Sequence, residues 1–256
     1  DGFYTAIDPT DFTVIYSESQ NGNIRRGNLI DGETSSIRPR GASGRGGRGG
    51  RGGGGRSNIV PTPEPNTEIR WNWNTPFIIS PHNAQTIHAG SNHFFTSRDR
   101  GENWMMSPDL TKNIDRDEIQ IMGFYNAVER CRQNNRGVEC IPSRNDGVGS
   151  WSTIVSVSES PLVPGNLWAG TDDGNIQVSR DGGTTWTEVS RNLPGGTTEY
   201  YVSRVDASAH NAATAYVSID GHKSNDLRPY IYVTRDYGES WTDISSNLPP
   251  YGNVNT

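Results

Sequence analysis

The chain has 256 residues, enough for one large domain or two small ones at ~100–200 residues per domain, and its net charge is −6. That charge argues against nucleic acid as the main partner of a folded domain, and no segment approaches the ~20 apolar residues that a membrane-spanning helix needs. The 30 glycines and 15 prolines favour many short strands over long helices. Residue 1 is Asp and no charged-then-apolar leader opens the chain, so we expect a mature or excised segment.

Internal repeats divide the chain into four strand-rich segments and two insertions. Each strand-rich segment holds short alternating runs, such as residues 14–17 and 230–233, that predict β-strands. In chain order the segments are a degenerate first repeat at residues 1–37, an insertion at 38–66, a second repeat at 67–111, an insertion at 112–150, a third repeat at 151–195 and a fourth repeat at 196–256.

The first insertion is rich in glycine and arginine. Residues 40–56 contain five arginines and no acidic residue, so the rest of the chain is strongly acidic. Such a tract has no apolar side chains to bury, and we predict a disordered, solvated loop. Binding of RNA or of an acidic polysaccharide is the alternative interpretation. The tract contains no aromatic residue on which bases could stack, and we therefore do not expect a nucleic-acid partner.

The second, third and fourth repeats share the motif Ser/Thr-x-Asp-x-Gly-x-x-Trp after a predicted strand. The Asp can accept hydrogen bonds from backbone N–H groups of its own turn, and the Gly can take a positive φ. The Trp offers a large ring that can pack against the sheet. We therefore predict that the motif has a structural role at a hairpin turn. Its residues are Asp99, Gly101 and Trp104, then Asp181, Gly183 and Trp186, and then Asp236, Gly238 and Trp241.

The second insertion contains both cysteines of the chain, Cys131 and Cys140, on either side of a polar loop. Two cysteines are too few for a disulfide framework, and no further ligands stand at the spacing of a zinc site. In an oxidising compartment the pair would close a small loop, which stabilises a fold by about 2–3 kcal/mol. Two unrelated free thiols are the alternative.

The repeated motif resembles the Asp box of the BNR-repeat β-propellers, which include sialidases, xyloglucanase-type glycoside hydrolases and the sortilin luminal domain. The resemblance implies an all-β propeller, with about four blades here as part of a ring of seven or more. The remaining blades would come from the rest of a parent chain or from another subunit, because a sheet array loses its exposed edges only when the ring closes. A self-contained ring of four blades is the alternative. The chain is most similar to bacterial sortilin-like BNR-repeat proteins, often labelled glycosyl hydrolases, at residues 73–81, 168–174, 220–222 and 228–232.

The family is secreted, which implies an extracellular or periplasmic location and favours a disulfide between Cys131 and Cys140. In a propeller, loops from every blade meet at the central funnel, and an aromatic-lined concave site is the usual place for a ligand. Trp71 and Trp73 alternate in an extended stretch, so they place two indoles on one face, as platforms for sugars do; core packing is the alternative. A dense polar loop precedes a predicted strand, and a structural turn is its alternative. The predicted ligand-binding residues are Trp71, Trp73, His222, Asp226, Arg228 and Tyr230.

Glycoside hydrolysis needs two carboxyl groups about 5–9.5 Å apart. Asp220 and Asp1 are the candidate catalytic pair. The xyloglucanase resemblance implies catalytic Asp residues on facing loops of two propeller domains, of which at most half could lie in this chain. We do not expect a sialidase, because no Arg-Ile-Pro motif stands near the start and Arg70, Arg204 and Arg228 cannot be assigned as a carboxylate-binding triad.

We predict neither a metal nor a cofactor. The five histidines are scattered, and residues 172–175 lack the loop length and the terminal Glu of a hand-type calcium site. The leading hypothesis is a secreted binding or interaction module whose central funnel recognises a peptide or a glycan. A glycoside hydrolase with Asp220 as its acid/base is the alternative, and a structural subunit of an extracellular assembly is a third.

Overall fold

The computed structural model describes residues 2–41, 56–114 and 150–250. The predicted catalytic residue Asp1, the predicted disulfide between Cys131 and Cys140, and most of the glycine- and arginine-rich tract lie outside the described residues. The described residues form sixteen strands in four sheets together with three short 3-10 helices. In this part of the chain no helix has the length and apolar character to cross a membrane.

Each sheet is a four-stranded antiparallel meander in which every strand pairs with the next one along the chain. The first sheet consists of β1 (Thr5–Asp8), β2 (Asp11–Glu18), β3 (Ile24–Asn28) and β4 (Thr34–Ser36). The second consists of β5 (Phe77–Ile79), β6 (Ile87–Gly90), β7 (His93–Ser97) and β8 (Met105–Asp109). The third consists of β9 (Ile154–Glu159), β10 (Leu167–Thr171), β11 (Ile176–Ser179) and β12 (Thr187–Glu188). The fourth consists of β13 (Tyr201–Ala207), β14 (Ala215–Asp220), β15 (Tyr230–Thr234) and β16 (Thr242–Asp243), and the 3-10 helices are Ser190–Asn192, His222–Ser224 and Ser245–Asn247.

The first strands of consecutive sheets lie next to one another. Strand β1 contacts β5, β5 contacts β9, and β9 contacts β13. Between the last two, side-chain hydroxyls bond the neighbouring backbone: the Oγ of Ser156 accepts from the Val205 N–H at 2.9 Å, and that of Ser158 from the Ala207 N–H at 3.0 Å. The four sheets therefore follow one another around a common axis that their first strands line. The prediction of an all-β chain is confirmed.

Apolar side chains fill the three spaces between neighbouring sheets. Two glycines of the second strands allow the close approach that this packing needs. A Cβ at Gly90 would lie 2.6 Å from Ile154, and a Cβ at Gly170 would lie 2.5 Å from Val202, both inside van der Waals contact. The spaces hold Tyr16, Trp71 and Phe95 between the first and second sheets, Phe94, Ile154 and Leu167 between the second and third, and Trp168, Val202 and Tyr232 between the third and fourth.

The three copies of the repeated motif form the turns between the third and fourth strands of their sheets, with one shared set of hydrogen bonds. In the turn after β7, the Oγ of Ser97 donates to Asp99 at 2.8 Å and accepts from the Gly101 N–H at 2.8 Å, while Asp99 accepts from the Asn103 N–H at 2.9 Å. The glycine of each copy has a φ near +90°, a conformation that side chains disfavour. The same bonds recur around Ser179, Asp181, Gly183 and Thr185, and around Thr234, Asp236, Gly238 and Ser240.

Candidate ligand site at the axial end of the sheets

The site lies at the end of the sheets where each first strand begins and each second strand ends, opposite the repeated turns. In the fourth sheet the register pairs Tyr201, the first residue of β13, with Asp220, the last residue of β14. In the third sheet Asp172 directly follows β10, and in the first sheet Tyr4 directly precedes β1. These four residues and Lys223, which lies in the helix after β14, are called the axial cluster below. Its five members are Tyr4, Asp172, Tyr201, Asp220 and Lys223.

Asp172 is a buried carboxylate that ties the second sheet to the third. Its Oδ1 accepts from the Thr153 N–H at 2.7 Å, and its Oδ2 accepts from the Thr153 hydroxyl at 2.7 Å and from the Asn72 amide at 3.4 Å. Burial raises the pKa of Asp172 to about 7 despite these hydrogen bonds, which favour the charged form. Asp172 therefore titrates near neutral pH while its position is set by donors from two sheets.

The ammonium group of Lys223 lies over the ring of Tyr201. The Lys223 Nζ is 5.2 Å from the centre of the Tyr201 ring, within the range of a cation–π contact. Burial lowers the pKa of Lys223, and the carboxylates of Asp172 and Asp220 offset part of that effect. Burial also raises the pKa of Tyr201, with further contributions from Asp172, Tyr4 and Asp220. Residues of the first, third and fourth sheets therefore share one electrostatic environment.

Asp220 holds the imidazole of His222. The His222 backbone N–H donates to Asp220 Oδ1 at 2.9 Å, and His222 Nδ1 lies 2.6 Å from Asp220 Oδ2. The carboxylate is buried, whereas about half of the His222 side chain is exposed. Of the predicted catalytic pair, the described residues therefore contain one member, and it supports an exposed imidazole.

Three of the predicted ligand-binding residues bond to one another. Asp226 accepts from the Arg228 guanidinium at 2.6 Å, from the Tyr230 hydroxyl at 2.6 Å and from the Tyr200 hydroxyl at 3.2 Å. The Arg228 side chain holds the pKa of Asp226 well below its usual range, although burial acts in the opposite direction. These contacts fix the loop between β14 and β15, which carries Lys223 of the axial cluster. Asp226 thus acts on the site by positioning that loop.

The two tryptophans that we expected on one exposed face are in different environments. The Trp71 ring is buried and stacks on Phe95 with a centroid distance of 5.5 Å, and the Arg38 guanidinium lies 5.2 Å from its centre. Trp73 is 42% exposed and meets Phe3 edge to face at 6.5 Å. The two indoles therefore do not form a shared platform, because Trp71 packs against Phe95 of β7 in the core. Trp73 is the member of the pair with an exposed indole, beside the residue that precedes Tyr4.

The histidines of the second sheet have structural hydrogen bonds. His88 Nδ1 lies 3.0 Å from the Thr96 hydroxyl and its Nε2 lies 3.2 Å from Glu159 of the third sheet. His93 Nδ1 lies 2.9 Å from the carbonyl oxygen of Ser107. Over residues 2–41, 56–114 and 150–250, no group of three His, Cys, Asp or Glu side chains is arranged to hold a metal ion.

Tyr201 and Lys223 were not selected from the sequence, and Asp172 was considered there only as part of a calcium loop. The repeats contain a signal for Asp172, because it occupies the position in the third sheet that Asp220 occupies in the fourth. Each stands two residues after an equivalent residue of the second strand, and those residues are Gly170, paired with Ile176, and Ser218, paired with Ile231. Aligning the ends of the second strands of the repeats would have placed both carboxylates at the same level of the propeller.

Comparisons with known proteins support the fold. No protein-family model matches the chain. A curated protein, the oligoxyloglucan-reducing end-specific xyloglucanase of Emericella nidulans, is 34% identical over 85 residues, which cover 33% of this chain and 10% of that protein.

Two solved structures resemble nearly the whole chain. The GH74 xyloglucanase from Xanthomonas campestris matches with a TM-score of 0.54 and 16% identity over 97% of this chain and 31% of its own. The Dos1 propeller matches with a TM-score of 0.54 and 10% identity over 98% of this chain and 50% of its own. Identities this low show the fold alone, and this chain spans at most half of either relative. The prediction of a β-propeller with four sheets in this chain is confirmed.

Proposed function

We propose that this chain is part of a secreted β-propeller module that binds a polysaccharide at the axial end of its sheets. The observation that carries the proposal is the axial cluster, in which Tyr4, Asp172 and Tyr201 come from three sheets and lie at the same end of them, with the Lys223 Nζ 5.2 Å from the centre of the Tyr201 ring. Hydroxyl and ammonium groups, such as those of Tyr4, Tyr201 and Lys223, can form hydrogen bonds with sugar hydroxyls, and concave sites with a few convergent polar groups are the usual places for small ligands.

The exposed ring of Trp73 directly follows Asn72, whose amide donates to Asp172 of the cluster at 3.4 Å. Trp73 packs against Phe3, and Phe3 is the chain neighbour of Tyr4. An exposed indole offers an apolar face at little entropic loss, because its side chain has two rotatable bonds. The combination of one aromatic face and several polar groups supports a sugar as the ligand.

Binding is favoured over hydrolysis by the state of the carboxylates. Asp172 is 1% exposed and both of its oxygens accept hydrogen bonds from Thr153, so the carboxyl group is held inside the protein and away from a glycosidic oxygen. The carboxylate of Asp220 is hydrogen-bonded to the imidazole of His222. The second candidate function is a glycoside hydrolase with Asp220 as its acid/base, and the similarity to the xyloglucanase of Emericella nidulans favours it.

Affinity measurements with soluble xyloglucan and with a mixed-linkage β-glucan test the proposal. Asp220→Asn should weaken binding by at least about tenfold, because Asp220 holds the exposed His222 imidazole and a hydrogen bond to a charged group contributes about 1.5–3 kcal/mol. Trp73→Ala should weaken binding as well, because it removes the exposed ring. Asp31→Asn is the matched control, since Asp31 is exposed in the turn between β3 and β4 at the opposite end of the first sheet.

The two functions are separated by measuring reducing ends released from the same glucans. Release that is lost in Asp220→Asn, with the tertiary circular dichroism spectrum unchanged, would establish the hydrolase instead. Equal affinities for the parent and both axial variants would refute the proposed site.

A further inference from the structure

One backbone position recurs at the exits of three sheets. The chain turns after the fourth strand, and the backbone N–H of the first residue of that turn donates a hydrogen bond to a carbonyl of the third strand of its own sheet. The equivalent bonds run from the Ile37 N–H to the Ile24 carbonyl at 3.0 Å, from the Val189 N–H to the Ile176 carbonyl at 2.9 Å and from the Ile244 N–H to the Ile231 carbonyl at 2.9 Å. Ile37, Val189 and Ile244 are called the exit positions below.

The exit position of the first sheet is covered by the repeated turn of the second sheet. The Trp104 indole N–H donates to the Ile37 carbonyl at 2.8 Å. Gly101 approaches so closely that a Cβ on it would lie 2.7 Å from the Ile37 Cβ. Ile37 is 3% exposed as a result.

The exit position of the third sheet is covered in the same way by the turn of the fourth sheet. The Trp241 indole N–H donates to the Val189 carbonyl at 3.1 Å, and a Cβ on Gly238 would lie 2.7 Å from the Val189 Cβ. A further bond fixes the turn: the Asn192 side chain donates to the Gly238 carbonyl at 2.8 Å. Val189 is 3% exposed.

The fourth sheet presents the same groups to solvent. Ile244 is 39% exposed, against 3% for each of its two equivalents. The residues after it repeat the exit of the third sheet, because Leu248 bonds back to Ser245 at 2.9 Å as Leu193 bonds to Ser190 at 3.0 Å. Asn247 therefore stands where Asn192 stands in the third sheet.

We propose that Ile244 and Asn247 form a docking position for one further propeller sheet whose turn reads Ser/Thr-x-Asp-x-Gly-x-x-Trp. The indole of that turn would donate to the Ile244 carbonyl, its glycine would lie on the Ile244 side chain, and Asn247 would donate to the glycine carbonyl. The contact continues an interface that the protein already builds at two other exit positions.

The turns within the described residues do not supply the occupant. The first sheet has the Asn21-Gly22 turn between β2 and β3 and lacks the Asp-x-Gly-x-x-Trp sequence after β3. Gly101 and Gly238 already lie on Ile37 and Val189. The remaining turn has a different geometry, because the Trp186 indole donates to its own Gly183 carbonyl at 3.1 Å and its ring packs on Phe94. The occupant is therefore a repeat of this type other than the four described, and a second copy of this chain is disfavoured.

The inference can be tested by supplying such a repeat. A second copy of residues 198–250, which carries its own turn with a tryptophan, is appended after residue 256 of the full chain. The appended repeat should resist limited proteolysis. Ile244→Asp in the original fourth repeat should make its cleavage at least about tenfold faster, since cleavage of a docked segment follows the population of its open form. Alanine in place of the appended turn's tryptophan should have the same effect.

The matched control is Ile244→Asp in the chain without the appended repeat, where the exposed side chain predicts a change in melting temperature of less than about 2 °C. An appended repeat that is cleaved rapidly while the first four keep their tertiary circular dichroism would overturn the inference. Equal cleavage of the appended repeat with Ile244 and with Asp at that position would overturn it as well. Neither readout depends on polysaccharide binding, so this inference and the proposed function fail separately.

Discussion

Replacing Glu18 by Gln should stabilise the protein at neutral and alkaline pH and leave its stability nearly unchanged near pH 4.5. Glu18 ends β2 and is 1% exposed, and neither of its carboxyl oxygens accepts a hydrogen bond of good geometry, although the backbone N–H groups of Thr75 and Gly22 lie near them. It pairs with Ile24, at the place where the second and third sheets have Gly90 and Gly170. A carboxyl group thus enters a sheet interface where its equivalents in the second and third sheets have no side chain.

Burial raises the pKa of Glu18 to about 7, and the nearby backbone N–H groups of Thr75 and Gly22 offset this only in part. In the unfolded chain the group titrates near its ordinary value of 4.5. Between these two values the unfolded chain loses its proton while the folded protein keeps it, so stability falls as pH rises from 4.5 to about 7 and is level above that. At 1.36 kcal/mol per pKa unit the loss is at most about 3 kcal/mol.

The assay is urea unfolding followed by tryptophan fluorescence at several values between pH 4.5 and pH 8. The free energy of unfolding of Glu18→Gln should exceed that of the parent by up to about 3 kcal/mol at pH 8, with the two curves converging toward pH 4.5. Glu33→Gln is the matched control, because Glu33 is exposed in the turn before β4. Parallel pH profiles for Glu18→Gln and the parent, or a more stable parent at pH 8, would refute the reasoning.

Three further substitutions test the packing and the loop by chemical denaturation. Gly170→Ala should destabilise the fold by about 1–3 kcal/mol, because its Cβ would lie 2.5 Å from Val202 of the next sheet. Trp241→Phe should destabilise the fold by about 1 kcal/mol more than the loss of buried ring area alone, since it leaves the Val189 carbonyl without its donor. Asp226→Asn should destabilise above about pH 4, and the difference should shrink as pH falls toward the lowered pKa of Asp226, where the parent also loses the charge.

Each of these substitutions has a control elsewhere in the chain. A Cβ on Gly2 would meet no atom within 4 Å, so Gly2→Ala should leave stability unchanged. Trp186→Phe removes a bond within its own turn and should cost less than Trp241→Phe. A pH-independent effect of Asp226→Asn would contradict the assigned role of its charge, and equal costs for the two tryptophan variants would contradict the role of the exit position.

The repeated turns could be predicted from the sequence in detail. The bonds that hold them join residues two to four positions apart, as between Ser97, Asp99 and Gly101, so residue spacing alone specifies the partners. Alternating runs specified the strands, and their repetition specified several similar sheets. These features depend on local geometry, so one sequence was enough to predict several similar antiparallel sheets. The propeller itself was predicted from the resemblance of the repeated motif to the Asp box.

The candidate site could be predicted only in part. Asp220 was selected because it stands in a dense polar loop, but its neighbours in the axial cluster come from other sheets, and no sequence spacing relates Tyr4 to Tyr201. Trp71 was predicted to share one face with Trp73, with core packing as the alternative. The sequence left this choice open because the burial of Trp71 depends on Phe95, which reaches it only when β7 is paired in its sheet.

The sequence by itself determined the strands, the turns and the fold class, because these follow from backbone conformation and from contacts between close neighbours in the chain. Tertiary structure alone decided which carboxyl groups are buried and which face a common axis. Glu18 and Asp172 both have pKa values of about 7, for one reason that no local pattern shows: each lies where another sheet excludes water from it. Burial is set by what packs across an interface, and residues distant in sequence supply that packing.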